Sequence, residues 1–546
     1  MLFRSVIMSI FFERYISRLQ EHSSYPELDP AKGMAFLIQM EPMEYYDLKT
    51  YTLFELLPGF TYSQKYGESK NDLIKTENRG ELSVTTKYGI TSNLILDGTY
   101  NPDFSQVEAD AGQVDVNLRY ALFYPEKRPF FLEGSEIFNF AATENTVVDP
   151  IGSLVHTRTI VNPITGIKLS GKLGEKNTLA VFYAMDELPA EAISTEGDYA
   201  YFSVLRYKRA FSDDSYIGGI YTGREVKNAF NRVGGIDGIV RLTQSSTIEY
   251  NGIYSDTKFR PVIESKNGSA VNIIYKYDSR DLYYNASIQN ITENFFTETG
   301  YLTRNGIFTI AGLIKPKFYP DSSFIRRIDI ELFSAQTEDK PSGLWETYNY
   351  ASGLFYIFGS QTARLKYTHS TEIFNGDKFK TGGITISYNG QLTKKFFIAF
   401  SYSKMKAIYY SSQPYQGKSD LFSSILVYKP TENIESYTNL IYSNFFRSSD
   451  NHFIYEYPIL REKLTYQLNK YLFFRGIVEY NKFRRQLLTD FLVSFTYVPG
   501  TVMHLGYSSL YERTHWDEFQ YRYVNTNDFR EVQRGFFFKM SYLWRL

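Results

Sequence analysis

The chain ends with the stretch GFFFKMSYLWRL, residues 535–546, whose residue pattern indicates the fold of the whole chain. Apolar side chains occupy the even positions, and Lys539, Ser541 and Arg545 lie between them. Alternation with a period of two is typical of a β-strand that has one apolar and one polar face. Chain ends are usually polar and frayed, so an aromatic terminal strand predicts a specific role for this end.

The same alternation recurs along the chain and predicts an all-β protein. Residues 271–278 place Val, Ile or Tyr at every second position, and residues 282–289 and 472–480 show the same alternation apart from Ala286 and Gly476. The 48 Tyr and 44 Phe enrich the chain in residues that favour strands. No run of 18 apolar residues occurs, which excludes an ordinary transmembrane helix.

The connections between these segments alternate in length. Short turns are predicted at 173–177, 392–395, 430–433, 468–470 and 499–501, and longer polar loops at 404–420, 446–453 and 514–533. This pattern favours a large antiparallel transmembrane β-barrel of about 22–26 strands, with Tyr and Phe facing lipid and a polar interior. The alternative is a soluble sandwich array or propeller, whose strands also alternate but are shorter.

One turn allows a prediction of register. A two-residue turn at Pro499-Gly500 would place Phe495 opposite His504 and mix the two faces. A three-residue loop places Phe495 opposite Leu505 and keeps the apolar face continuous. We therefore expect the three-residue loop.

Composition excludes several classes of function. Lys and Arg total 59 and Asp and Glu total 60, so no overall positive field favours nucleic acid as a partner. The chain has no Cys, which rules out disulfides, zinc–thiolate sites and a cysteine nucleophile. With only six His residues, we predict no metal site and no cofactor.

Residues 101–138 break the strand pattern. Pro102, Pro125 and Pro129 do not fit central strands, so we expect an inward-folded or plug-like segment in the barrel lumen. It could form a constriction or a solute contact, or only a network of ion pairs that fills the barrel. Its predicted polar cluster consists of Asp103, Gln106, Glu108, Asp110, Arg119, Glu126, Lys127, Arg128, Glu133 and Glu136.

Two contacts within this cluster are expected. Glu108 and Asp110 would share one face at strand spacing. The forked guanidinium of Arg128 would bind a carboxylate through two hydrogen bonds.

Two strings in this region also resemble a known family. LDGTYNPDFSQVEAD (96–110) and FYPEKRPFFLEGSEIF (123–138) are similar to a family of bacterial outer-membrane β-barrels described as a domain of unknown function, and the likeness extends from about residue 50 to 546. In that family the barrel usually follows a family 9 carbohydrate-binding module. The resemblance implies a fold and an outer-membrane location, but no chemistry.

The start of the chain departs from that architecture. Residues 1–47 are too short for the binding module and are predicted to be a linker or remnant, partly helical or irregular, with at most a weak signal peptide. The barrel is predicted to occupy 48–546. A carbohydrate specificity that belongs to the module is therefore not transferred to this chain.

Catalytic motifs give little support for an enzyme. The GKS at 417–419 lacks the first glycine of a phosphate-binding loop, because Ser412 stands in its place. His504, with Ser508 as the nearby nucleophile, is interpreted as a residue that lines the lumen. A membrane-embedded hydrolase that uses His504 or Glu108, Asp110 and Arg128 remains an alternative, but we predict no enzymatic activity.

The segment 513–533 carries aromatic residues among charges. Trp516, Tyr521 and Tyr523 are candidate contacts for a sugar or peptide at the cell surface. They could equally form part of the aromatic girdle at the membrane boundary.

The predicted function is passage or handling of a solute at the outer membrane, and a glycan breakdown product is a candidate solute. The alternative is a non-conducting barrel that anchors or docks partner proteins. Expected partners are outer-membrane lipid, the barrel-assembly machinery and small saccharides or peptides. The terminal strand is predicted to close the sheet and to carry the assembly signal, formed by Phe538, Met540, Tyr542, Trp544 and Leu546.

Overall fold

The computed structural model describes residues 5–16, 21–27, 40–46, 52–102, 110–143, 148–189, 198–212, 214–259, 264–322, 324–358 and 361–545. In these ranges the structure is almost entirely β, and the α-helix Pro129–Leu132 is the only one. No helix in the described ranges is long and apolar enough to cross a membrane.

Twenty-four strands form one closed antiparallel barrel, as the sequence predicts. The first twelve are β1 (Phe54–Ser69), β2 (Asp72–Thr91), β3 (Leu94–Tyr100), β4 (Pro163–Leu173), β5 (Asn177–Glu187), β6 (Tyr199–Ser212), β7 (Ser215–Val226), β8 (Ala229–Thr243), β9 (Ser246–Lys258), β10 (Lys266–Asp278), β11 (Leu282–Ile291) and β12 (Ile307–Phe318). The others are β13 (Ile325–Asp339), β14 (Leu344–Ile357), β15 (Gln361–Phe374), β16 (Asp377–Thr393), β17 (Phe396–Tyr409), β18 (Tyr415–Thr431), β19 (Ile434–Arg447), β20 (Phe453–Gln467), β21 (Leu472–Asn481), β22 (Gln486–Val498), β23 (Thr501–Asp517) and β24 (Arg522–Ser541).

The terminal strand closes the barrel. Residues 533–541 of β24 pair with residues 59–67 of β1, and the short strand Trp544–Arg545 continues the pairing beside Leu56 and Glu55. Closure gives every strand two neighbours, which a sheet in lipid needs because no water is present to satisfy free backbone groups. The predicted closing role of the C-terminal strand is confirmed.

The alternation of the sequence separates an outer face from an inner face. On β24, Met540 is 48% exposed and Lys539 is 8% exposed. On β6, Leu205 is 46% exposed whereas Arg206 is completely buried. Large apolar side chains exposed all around a closed barrel are typical of a lipid-facing surface, so the barrel is of the outer-membrane type.

Two of the three predicted long loops, 404–420 and 514–533, are largely strand. The hairpins around 404–420, 446–453 and 514–533 turn at 410–414, 448–452 and 518–521. Polar strands continue past the apolar belt because ladder hydrogen bonding depends on the backbone and tolerates polar side chains. The loop boundaries predicted from polarity were therefore wrong.

The predicted register at Pro499-Gly500 was also wrong. The turn has two residues, with Val498 opposite Thr501, and Phe495 pairs with Met503. An irregularity between Thr496 and Val498 adds a residue to β22. This bulge keeps the apolar face continuous, which the prediction had attributed to a three-residue loop.

The two ends of the barrel differ. Phe54 and Ser541 mark the terminal end, where the connections have two to six residues. At the opposite mouth end, the connections reach fifteen residues at 292–306, and the segment 101–162 also begins there. Since outer-membrane barrels have short periplasmic turns and longer external loops, the mouth end faces outward.

The described residues before the barrel form strands. Ser5–Ile10 pairs with Glu41–Tyr46, and Phe12–Ile16 pairs with Glu21–Tyr25. The prediction of a partly helical or irregular start therefore does not apply to these described ranges.

Candidate functional site

A long segment leaves the barrel wall after β3 and folds into the lumen. Asn101 adopts a positive φ of 47°, and its side chain donates a hydrogen bond to the Leu82 carbonyl at 2.9 Å. We call residues 110–122 the strap and residues 123–162 the plug body. Both contact side chains on the inner face of the wall, as the following contacts show, so the predicted inward-folded segment is present.

The plug body is organised around Glu126. Arg128 donates two hydrogen bonds to this carboxylate, from Nε at 2.8 Å and from Nη2 at 2.7 Å. The Thr157 hydroxyl donates a third at 2.6 Å. Although burial raises it, these bonds hold the pKa of Glu126 down at about 2. The two-bond contact expected of Arg128 therefore forms, with Glu126 as its carboxylate.

The helix of the plug body follows directly. Pro129 occupies its first turn, where a missing N–H costs nothing. Gly134, with φ of 69°, comes just after the helix and begins a short 3₁₀ helix, Ser135–Phe138. Lys168 of β4 donates hydrogen bonds to the carbonyls of Phe130 and Glu133, at 2.7 and 2.6 Å. These bonds anchor the helix to the wall.

Apolar side chains fuse the plug body to one side of the wall. One buried cluster joins Phe140, Ile151 and Leu154 of the body to the wall and to Phe295 of the 292–306 connection. A second joins Phe131 and Ile160 to β5 and β6. The inner face of the barrel is therefore apolar in places here, where the sequence predicts only polar side chains.

A fully buried ion pair of the wall lies where the plug body packs against it. Arg206 of β6 donates to Asp237 of β8 through two nitrogens, at 2.6 and 2.7 Å, and neither side chain is exposed. The same carboxylate accepts a hydrogen bond from the backbone N–H of Ala141 at 2.8 Å. Asn251 and Asn272 also donate to carbonyls of the plug body.

The strap crosses to the other side of the mouth and is held mainly by polar contacts. Arg119 forms an ion pair with Glu372 at the end of β15 and donates to the Ile373 carbonyl at 3.0 Å. The Asn117 side chain donates to the Ile408 carbonyl at 2.9 Å and accepts from the Tyr410 N–H at 2.7 Å.

Two further contacts continue this attachment. Asp115 forms an ion pair with Arg484 and accepts a hydrogen bond from Tyr457 at 2.5 Å. Burial raises the pKa of Asp115, but these bonds hold it below its ordinary value. The Gly112 N–H donates to Glu479 at 3.0 Å. The strap therefore reaches four strands that are far away in sequence.

The predicted polar cluster is divided between strap and plug body. Asp110 pairs with Lys127 and Arg158 and links the two parts. Glu133 pairs with Lys87 of β2. Glu136 is exposed in the 3₁₀ helix. Asp103, Gln106 and Glu108, and with them the expected Glu108–Asp110 face, lie outside the described residues.

The wall residues that receive this segment could not be identified directly from the sequence. Examples are Arg206, Asp237, Glu372 and Arg484. One signal was available, because a charged residue at an inward position of a strand needs a partner. The identity of that partner is not readable locally, since Asp115 and Arg484 are 369 positions apart.

The wall opposite the plug body keeps an open polar surface. Toward the terminal end, strands β14–β19 line a cavity of about 500 Å³. Its side chains include Arg364, Asn389, Ser401, Ser423 and Asn439. The strap contacts β15 and β17 of the same wall nearer the mouth. The strap thus lies above an open polar chamber, which we call the lower chamber.

The candidate surface aromatics lie on the β23–β24 hairpin. The Trp516 and Tyr523 rings meet edge to face at 5.0 Å, and Tyr521 is 76% exposed in the turn. Asn71 of the neighbouring hairpin bonds the Trp516 backbone at both its N–H and its carbonyl. A sugar or peptide contact at these rings stays a prediction.

The residues of the hydrolase alternative do not form a catalytic pair. His504 and Ser508 lie on the same strand, four residues or about 13 Å apart, which exceeds hydrogen-bond reach. His504 is buried on the inner face, opposite Ser494 and Lys539.

The residues of the assembly signal are at the terminal end. Met540, Tyr542 and Trp544 are exposed on the outer surface, and Phe538 pairs with Tyr62 across the closing seam. Leu546 lies outside the described residues. Recognition of this strand during assembly stays a prediction.

Fold and lumen together define the class: an outer-membrane β-barrel whose mouth is crossed by an internal plug. The model of the family described as Domain of unknown function (DUF5916) matches residues 55–455, and the chain belongs to that family. No curated protein matches the chain in sequence.

Several solved barrels are similar in outline. The copper transporter OprC is 9% identical, with 92% of this chain and 83% of that chain covered and a TM-score of 0.47. The siderophore receptor PirA from Pseudomonas aeruginosa is 8% identical, with coverages of 92% and 82% and a TM-score of 0.49. For the unliganded ferric citrate transporter FecA the values are 10%, 91%, 80% and 0.39. These TM-scores are too low to support a conclusion about this chain. The barrel is instead established by its own strand pairing.

Proposed function

We propose that the protein is a gated passage for a solute across the outer membrane, closed at the mouth by the strap. The observation that carries the proposal is the unequal attachment of the plug. Apolar clusters fix the plug body to β5–β12, whereas ion pairs and hydrogen bonds hold most of the strap against β15–β21. The Asp115–Arg484 pair is 28% and 49% exposed and can exchange for water at small cost, so the strap is the part able to move.

The lower chamber is the space that movement of the strap would open to the mouth. Its wall presents Ser, Asn and Arg side chains among apolar ones such as Leu354 and Ile441, and the polar groups suit a hydrated solute. Displacement of the strap from Glu372 and Arg484 would connect the mouth to this chamber while the plug body stays in place. Transport therefore needs no loss of the buried Arg206–Asp237 pair.

A charge-reversal experiment tests the proposal. Arg119→Glu places two carboxylates together at the strap contact with Glu372, and we expect a higher open probability in planar bilayers, roughly tenfold for a shift of about 1.4 kcal/mol. The matched control is the swapped pair Arg119→Glu with Glu372→Arg, which restores the attraction and should return conductance toward that of the unmodified protein.

The non-conducting scaffold predicts another result. In that case Arg119→Glu folds, migrates as a heat-modifiable barrel and remains closed in bilayers. Closed channels in both the single variant and the swapped pair would rule out the gated passage.

A further inference from the structure

A second cavity lies directly beside the strap at the mouth of the barrel. Its volume is about 500 Å³, and it is lined by the strap, the plug body, the 292–306 connection and the ends of strands β12–β17. We call it the mouth pocket. Its lining includes Arg119, Tyr120, Arg304, Glu346, Tyr348 and Glu372.

The charges in the mouth pocket are already paired with one another. Arg119 pairs with Glu372, and Arg304 pairs with both Glu346 and Asp339, the latter at 2.8 Å. A ligand with a net charge would have to break one of these pairs and leave its other half uncompensated, which is unfavourable in a partly buried site. The pocket therefore favours a ligand without net charge.

The remaining lining combines aromatic rings with hydroxyl groups. Tyr120 comes from the strap, Tyr348 from β14 and Tyr410 from the end of β17, and Thr303 and Thr381 add hydroxyls. The Tyr410 hydroxyl donates to Glu372 at 2.8 Å. Tyrosine rings offer apolar faces with a polar edge, while carboxylates accept and hydroxyls both donate and accept hydrogen bonds.

We propose that the mouth pocket binds a neutral, polyhydroxylated solute, an oligosaccharide, before passage. Such a ligand stacks its apolar ring faces on tyrosine and gives its hydroxyls to Glu346 and Glu372 without adding charge. This inference rests on the proposed function, because the strap forms one side of the pocket and carries Arg119 of the pair that closes the mouth. Binding there would place the solute against the element that moves.

Direct binding to the closed protein tests the inference separately from conductance. The full chain, in a detergent without sugar groups, is titrated calorimetrically with maltotetraose and cellotetraose, with trigalacturonate as the anionic probe and triglycine as the zwitterionic probe. We expect at least one neutral tetrasaccharide to bind at least tenfold more tightly than either charged probe. The variant Tyr120→Ala with Tyr348→Ala should weaken that binding at least tenfold.

The matched control is Tyr388→Ala, which removes a tyrosine from the outer face of β16, in line with the exposed Ile384 and Ile386, and should leave binding unchanged. Should the double variant fail to fold, Tyr348→Phe keeps the ring, removes one hydroxyl and should weaken binding about threefold. The inference is overturned if neither tetrasaccharide binds, if a charged probe binds more tightly, or if Tyr388→Ala weakens binding as much as the pocket variants do. Gated conductance without saccharide binding would remove this inference alone, and binding to a barrel that never conducts would remove the proposed function alone.

Discussion

The two attachments of the plug differ in how water reaches them. The wall pair Arg206–Asp237, which hydrogen-bonds the plug body at Asn139 and Ala141, is 0% exposed on both sides. In the strap pair, Arg484 is 49% and Asp115 is 28% exposed. A buried pair that loses one partner leaves a charge without water, and an exposed pair does not. One chain thus combines a permanent attachment with a releasable one.

The largest difference between the two sides should come from removing one carboxylate on each. Asp237→Ala leaves Arg206 uncompensated and should lower the free energy of unfolding by about 3–5 kcal/mol. Asp115→Ala at the strap should cost less than about 1 kcal/mol. Urea unfolding followed by heat-modifiable gel migration measures both, and equal effects would contradict the division into fixed and releasable sides.

Apolar contacts should show the same ranking, with a smaller difference between the two sides. Phe295 is fully buried in the cluster that fixes the plug body, and Phe295→Ala should cost about 3 kcal/mol or more. Val114 packs only partly buried against the aromatic cluster beneath the strap, and Val114→Ala should cost about 1 kcal/mol. The same unfolding assay applies, and a larger loss for Val114→Ala would reverse the ranking.

Lowering the pH should weaken the hydrogen bonds that Glu126 forms inside the plug body. Because Glu126 has a pKa of about 2, below its ordinary 4.5, its bonds to Arg128 and Thr157 stabilise the folded state fully above about pH 4.5. That stabilisation is lost as the pH falls from 4.5 toward 2. The protection factors of the amides in 126–131, which correct for the intrinsic slowing of exchange in acid, should fall over this interval. Glu126→Gln should exchange faster already at pH 7 and lose this pH dependence, and an unchanged profile in the variant would exclude Glu126 as its origin.

Salt should have the smallest effect and act on the strap alone. Between 0.1 and 1 M ionic strength the screening length falls from about 10 Å to about 3 Å, which should raise the open probability about two- to threefold. Arg119→Gln with Glu372→Gln removes both charges of one pair and should reduce this response. Hydrogen exchange of the buried amides around Ala141 should not respond to salt. If salt accelerates this exchange by as large a factor as it raises the open probability, the plug body is held no more firmly than the strap.

The sequence predicted the barrel because a strand in lipid leaves a strong local signal. Alternation along β24, with Lys539 inward and Met540 outward, is visible in any ten residues. Strand ends were poorly predicted because polar hairpins such as 514–533 continue the ladder with no change in composition. The register at Pro499-Gly500 was missed because a bulge replaces a longer loop.

The plug was predictable as a departure from the pattern, but its attachments were not. Three prolines and a dense set of charges in 101–138 indicated an inward segment. Which charges meet depends on the curvature of the whole barrel, since Arg119 and Glu372 are 253 positions apart. The difference between the fixed and releasable sides appears only when burial is known.

The most direct test of the releasable strap is a reversible lock at the mouth. The chain has no Cys, so Arg119→Cys with Glu372→Cys introduces the only two thiols, which a short bis-thiosulfonate linker can bridge and a reductant can release. We predict that the linked protein is closed in planar bilayers, and that reduction opens it to a conductance above that of the unmodified protein. Equal conductance before and after reduction would contradict the claim that the strap gates the passage.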